Sequence, residues 1–390
     1  MRFVIGEMRK IWNIRMLVLL GLLSTLFYRL FMSYFIDFPN GHSATEEVEY
    51  GIELVQRYGT TLEANEYAEF VSETREQLIY EMERHIQANP VFADAGIYSY
   101  EDYERVLAQD TNTEVESKAI WTLLGEEADY VRFKLQALDW IDGQYRDYPQ
   151  YLNRIISEAA NQKAIDRYTE VLQTKEYTNI MDWNVYNNTV GYSLYLAILS
   201  VLAVLVLVSP LIVTDRARNV HLMQYTSRLG RMIFRKQLYA VLLSAFCLTT
   251  VLLLIFGAIY STNSTWVYWN SGMISFLNRP IFWFDMTYGQ YVTIYIGLLY
   301  ILCLGTAAMA FILSRFSRNL ITLLLKLIPV FAALATLCVY VFRYPFSMDN
   351  DLYRALGIIG LEPLVCCLLC IACVAVSIYL VRREKAAEVF

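Results

Sequence analysis

Three histidines, His42, His85 and His221, and the run Cys367, Cys370, Cys373 are the residues of this chain best suited to metal or acid–base chemistry. Neither set is arranged for it. The histidines are scattered along the chain, on both sides of the apolar runs described below, so a His-based metal site or triad would need distant segments to converge. The cysteines have a formal C-x-x-C-x-x-C ligand spacing. Inside an apolar helix, however, residues three apart drift down one face, where cysteine behaves as a small hydrophobe. The chain contains no G-x-x-x-x-G-K-[ST] phosphate loop, which excludes ATP hydrolysis of the P-loop kind. No enzymatic activity is expected, and this chain should bind no cofactor of its own.

A second pattern is mechanical rather than catalytic. The stretch QYTSRLGRMIFRKQL, residues 224–238, lies between two long apolar runs. In helical projection Leu222, Tyr225, Leu229, Met232 and Ile233 share one face, and Arg228, Arg231 and Arg235 share another. Such a helix can lay its apolar side chains in a partner's groove while its arginines pair with an acidic rim. The same cluster could equally be a stop-transfer signal that only sets topology.

The elements around this stretch follow from composition. Of 390 residues 56 % are hydrophobic and 18 % charged, too apolar for an ordinary soluble protein. Crossing a membrane takes about 20 apolar residues, and six runs qualify: 16–36, 190–213, 237–260, 288–314, 319–342 and 361–381. The first has a basic flank like a signal peptide, but it is long, lacks a small-residue cleavage site and is followed by further spans, so it reads as a retained anchor. Before it, Val4, Ile5, Met8, Ile11 and Trp12 face one way and Arg2, Arg9, Lys10 and Asn13 the other, the pattern of an interfacial amphipathic helix.

Basic residues beside short loops stay on the cytoplasmic side. With both termini inside, the inner segments hold fifteen Lys and Arg, and the two short outer connections hold only Arg279, Arg343 and Arg354. The expected class is therefore an all-α, polytopic membrane protein with six transmembrane helices and cytoplasmic termini. Residues 1–36 form the interfacial helix and first span, 37–187 a helical extracellular domain, and 188–390 spans two to six with a cytoplasmic loop at 214–236.

The segment 37–187 carries 30 of the 38 acidic and 12 of the 32 basic residues, a balance of −18. It reads as a solvated helical surface, or as one that attracts cationic ligands. Its apolar positions recur at helical spacing in Val48, Ile52, Val55; Tyr67, Phe70, Val71, Leu78, Met82; Val131, Leu135, Leu138, Ile141; and Leu152, Ile155, Ile156. Breakers fall at Pro39, Pro90, Gly125, Gly143 and Pro149. A self-sufficient bundle is expected, with Trp121 and Trp140 in its core. It contains no cysteine, which suits a bacterial cell surface.

The connection 261–287 is rich in aromatics, as at a membrane interface. The segment YRALGIIGLEP, 353–363, suggests a short, partly re-entrant helix. Charges inside or beside spans mark pathways or interfaces. Arg29 can snorkel outward and Lys326 inward, and Glu362 lies at the outer end of span six.

The basic helix with Glu7, Lys10 and Arg15, the large insertion after span one, the five closely spaced later spans, and the loop Asp215-Arg216 … Tyr225-Thr226-Ser227-Arg228-Leu229-Gly230-Arg231 … Lys236 resemble permease subunits of six-span ABC exporters. The resemblance implies that Tyr225–Arg231 form a coupling helix seated in a cleft of a cytosolic ATPase. It also implies two such ATPases carrying ATP and Mg, a second permease subunit as homo- or heterodimer, a bacterial plasma membrane, and a peptide, lipid or amphipathic cargo moved outward. No nucleic-acid partner is expected. The alternative is a non-transporting surface receptor or secretion scaffold resembling the phage-infection-protein group.

Overall fold

The computed structural model describes residues 2–39, 42–123, 127–217 and 233–387. It is 80 % helical, and among the described residues the β contacts are isolated bridges. Among the described residues six helices are long and apolar enough to cross a membrane: Ile14–Phe35 (α2), Trp183–Ala217, Ile233–Tyr260, Tyr288–Arg315, Leu320–Phe342 and Leu361–Arg383. They match the six apolar runs closely, except that the second starts seven residues earlier than its hydropathy suggests.

Hydrogen bonds order the spans. Helix α1 (Arg2–Ile11) and the starts of the first and third spans meet the end of the second at one end of the bundle. At the opposite end Phe35, closing the first span, accepts from Asn188 Nδ2 at 3.0 Å and Asn263 Nδ2 at 2.7 Å. The second span is the hub, with 78 % of its apolar window buried, against 11 % for the first and fifth. The fourth and sixth spans pack through small residues: a Cβ on Gly305 would lie 3.0 Å from Cys370 Cα, and Ser377 Oγ donates to Ala308 O at 3.3 Å. Close backbone approach of this kind is how apolar helices associate where no hydrophobic effect drives them together. The cysteines of this face are unpaired thiols, and no group of three or more metal-ligating side chains occurs among the described residues.

Between the first two spans stands a unit that, among the described residues, has seven α-helices: α3 (His42–Tyr58), α4 (Ala64–Ala88), α5 (Pro90–Asp94), α6 (Tyr100–Leu107), α7 (Glu114–Leu123), α8 (Glu127–Glu158) and α9 (Gln162–Thr174). Local chemistry starts them. Glu63 and Glu66 form a capping box on α4, Asn89 caps α5 ahead of Pro90, and Ser99 and Asn161 cap α6 and α9. Phe70, Met82, Leu138, Ile141 and Leu152 are fully buried, as their spacing predicts. Two details differ. Trp121 is 73 % exposed rather than a core residue, and α8 runs through Gly143 and Pro149 without a break.

The larger difference is in the connection 261–287. Trp266, Trp269 and Phe284 are exposed, but residues 273–283 plug the base of the helical unit. Phe276 is 1 % exposed and stands edge-on to Tyr145, with centroids 5.1 Å apart, and to Tyr67 at 6.1 Å. Its backbone N donates to Tyr177 O, Met181 N donates to Ser275 Oγ, and Arg167 Nε donates to Phe282 O. Nor does the segment after the fifth span re-enter the bundle. It forms a short helix, Asp351–Leu356, whose Tyr353 hydroxyl accepts from Asn161 Nδ2 at the start of α9. Its Asn350 cap and αL glycine, Gly357, confine it to one and a half turns.

Asp182 joins the helical unit to the hub. Its Oδ1 caps the second span by accepting from Asn184 N at 2.7 Å and Val185 N at 3.2 Å. Its Oδ2 is buried with no hydrogen-bond partner among the described residues, as is the Tyr268 hydroxyl, and both side chains lie over Gly51 of α3. At 35 residues the second span is about 52 Å long, well beyond the 30 Å of hydrocarbon, so it has turns to spare, and Asp182 precedes its first residue. Complete burial pushes the Asp182 carboxyl up to about 7, against the backbone bonds that favour its charge. The folded state therefore holds a proton that the unfolded chain loses near pH 4, and stability falls as pH rises from about 4 to about 7, then levels off. Asp182→Asn keeps the cap and removes the titration. The unfolding midpoint of the variant, measured between pH 4 and 8, is expected to depend less on pH and to exceed the parent's at pH 8. An unchanged pH slope would refute the assignment.

Candidate functional site at the amino-terminal end of the bundle

Four polar side chains from three elements meet where α1 crosses the spans. Glu7 and Lys10 lie one turn apart on α1, Asp215 comes from the last turns of the second span, and Gln237 from the first turns of the third. Lys10 Nζ is 2.7 Å from Glu7 Oε1 and 3.1 Å from Asp215 Oδ2. Gln237 Nε2 donates to both carboxylates, to Glu7 Oε2 at 3.1 Å and to Asp215 Oδ2 at 2.9 Å. Glu7, Asp215 and Gln237 are buried, whereas the ammonium keeps part of its exposure. Burial acts to lower the Lys10 pKa, but hydrogen bonding to Glu7 and the charges of Glu7 and Asp215 outweigh it and hold the ammonium above its ordinary value.

Neighbouring contacts extend this clamp. The Trp12 indole Nε1 donates to Ser244 Oγ of the third span at 3.0 Å, and Lys236 Nζ sits 4.1 Å from the Phe3 ring centroid. Thus α1 is fastened to the bundle along one face. It presses Glu7 and Ile11 into the bundle, while Phe3 and Ile5 stay exposed. Arg216 reaches the turn between the fourth and fifth spans, donating to Ser317 O at 2.8 Å and Arg315 O at 3.1 Å.

The predicted coupling residues Tyr225, Thr226, Ser227, Arg228, Leu229, Gly230 and Arg231 lie outside the described residues. What is described is the frame around them: Asp215 and Arg216 on one side and Lys236 and Gln237 on the other are all fastened to the bundle. Lys326 Nζ donates to Phe316 O at 2.8 Å, and so caps the end of the fourth span. Arg29 is exposed in a π-helical turn, Tyr28–Met32, of the first span. Glu362 is buried at the opposite end, where its Oε1 accepts from Phe346 N at 3.0 Å and pins the loop after the fifth span. These three charges are not brought together.

The cluster has no nucleophile paired with a base. Its chemistry is that of a joint, in which one ammonium and one amide satisfy two carboxylates and so couple α1 to the second and third spans. Comparison with protein-family models, curated proteins and solved structures finds no match. Sequence reasoning reached Glu7, Lys10, Asp215 and Arg216 but missed Gln237 and Ser244. The available signal was a polar side chain recurring at helical spacing at the head of an apolar run.

Proposed function

We infer that the chain is the membrane-spanning subunit of an ATP-driven exporter. It pairs with a second such subunit and with two cytosolic ATPases in a bacterial plasma membrane, with both termini in the cytoplasm. One observation carries the reading: the two ends of segment 218–232 are tied into the same buried cluster. A push on that segment would reach α1 and the second and third spans together, which is what coupling to an external motor requires. The resemblance of Tyr225–Arg231 to a coupling helix supplies the motor, and the cargo is a peptide, lipid or amphipathic compound.

Paired replacement of Tyr225 and Leu229 by Ala keeps every charge that orients the chain, and so does Arg231→Lys, which removes only the planar fork. Truncating large side chains at a packed interface costs about 1–4 kcal/mol each. Both variants are expected to insert normally and to lose ATPase copurification, or to hydrolyse ATP without export. Wild-type copurification and transport in both would defeat the proposal and favour the receptor or scaffold alternative.

A further inference from the structure

At the end of the bundle that carries α3–α9, a groove of 870 Å³ opens sideways between the start of the fourth span, the start of the sixth and the aromatic connection. Three rings wall it: Trp269 and Phe284, each about half exposed, and the buried Phe346, which stands edge-on to Phe284 with centroids 6.3 Å apart. The Trp269 indole rests on the fourth span at Gly289, where a Cβ would come within 2.6 Å of the ring. Only glycine lets the ring seat there.

The groove has a polarity gradient. Of its lining residues only Asp285 bears a formal charge, and that exposed carboxylate has no ion-pair or hydrogen-bond partner among the described residues. The polar side chains at the head of the fourth span are already committed, and the exposed Asn270 is the remaining polar lining residue. Thr287 and Gln290 cap each other, and Thr293 Oγ1 donates to Gly289 O. Ile294 lies about 10 Å further along the helix, on the side of the hydrocarbon. One anionic group beside two half-exposed aromatic rings at the polar end, with apolar lining beyond, complements a cationic head carrying an alkyl tail.

We propose that this groove binds monocationic amphiphiles that enter from the adjacent membrane leaflet, the head between Asp285 and the Trp269 and Phe284 rings and the tail along Ile294. The site needs no ATP and no partner chain, so it can be tested apart from the transport reading. The probe is a twelve-carbon alkyltrimethylammonium with a photoreactive diazirine in its tail, added to the full chain in nanodiscs of neutral lipid, with labelled positions located by mass spectrometry.

Saturable labelling is expected on the first turns of the fourth and sixth spans. Dodecyltrimethylammonium should displace the probe, and dodecyl sulfate should not. Asp285→Asn should weaken half-saturation about tenfold and Asp285→Glu should restore most of it, because the charge, not the shape, is what attracts the head. Asp285 is exposed, so neither change threatens folding. Gly289→Ala, which unseats Trp269 without touching the charge, should weaken binding as well. Equal displacement by dodecyl sulfate, or undiminished affinity in Asp285→Asn, would overturn the proposal.

Discussion

Lys10→Met is expected to destabilise the protein by about 3 kcal/mol, the low end of the cost of breaking a buried ion pair, because the Lys10 side chain is 38 % exposed. The methionine fills the space but leaves Glu7 and Asp215 facing each other across the Gln237 amide. Adding Asp215→Asn should recover part of the loss, since it removes one of the two stranded charges, with a coupling of about 1–2 kcal/mol between the sites. Chemical unfolding of the four proteins of this cycle in detergent measures it. Strict additivity would mean that the cluster is not an electrostatic unit. Hydrogen exchange adds a spatial readout, because faster exchange in α1 and at the start of the third span is expected from Lys10→Met alone.

Phe276→Ala should cost about 3–5 kcal/mol, as for a large ring lost from a closed core. The ring serves two tyrosines: Tyr67, stacked on Tyr145 at 3.9 Å, and Tyr145 itself. Phe276→Leu keeps most of the volume and should cost about 1.5 kcal/mol or less. Limited proteolysis should show the Ala variant cut first in α4 or α8, far from the mutation in sequence. Cleavage confined to 261–287 would mean that the plug is a passive cover. On the same grounds a fragment of residues 40–185, expected from its sequence to fold by itself, is expected to be less stable than the unit in the full chain.

Six apolar runs and the helical stripes of 37–187 were legible because each is a local pattern that burial repeats at the scale of one helix. Phe70, Met82, Leu138 and Ile141 announce themselves by spacing alone. The plug was not legible. An aromatic segment between two spans reads as interfacial whether it lies in headgroups or folds into a neighbouring core, and only the position of Tyr67 and Tyr145 decides which. The cluster at the other end was half legible. Asp215 and Arg216 stand out at the end of an apolar run, and Glu7 and Lys10 on a basic helix. Their meeting depends on the turn at Asn13, whose side chain caps the first span by accepting from Met16 N at 3.1 Å and so fixes how α1 folds back. Gln237 is unremarkable in sequence and becomes informative only when two carboxylates share its amide. The groove at Asp285 was hidden for the same reason as the plug, since Trp269 and Asp285 acquire a common wall only through the seat at Gly289.

The plug also sets a timetable for synthesis. Phe276 leaves the ribosome about 100 residues after the end of α9, a delay of roughly 5–20 s at ordinary translation rates. During that interval the helices of 42–174 are complete as a string of segments but lack the ring that closes their base, and the stacked pair Tyr67–Tyr145 presents an open face. The second and third spans must already be threaded before Phe276 can arrive from the same side of the membrane. Maturation of the helical unit is therefore gated by insertion of the spans that follow it, so a chain stalled after its second span would display an unfinished domain to the proteases that police nascent proteins.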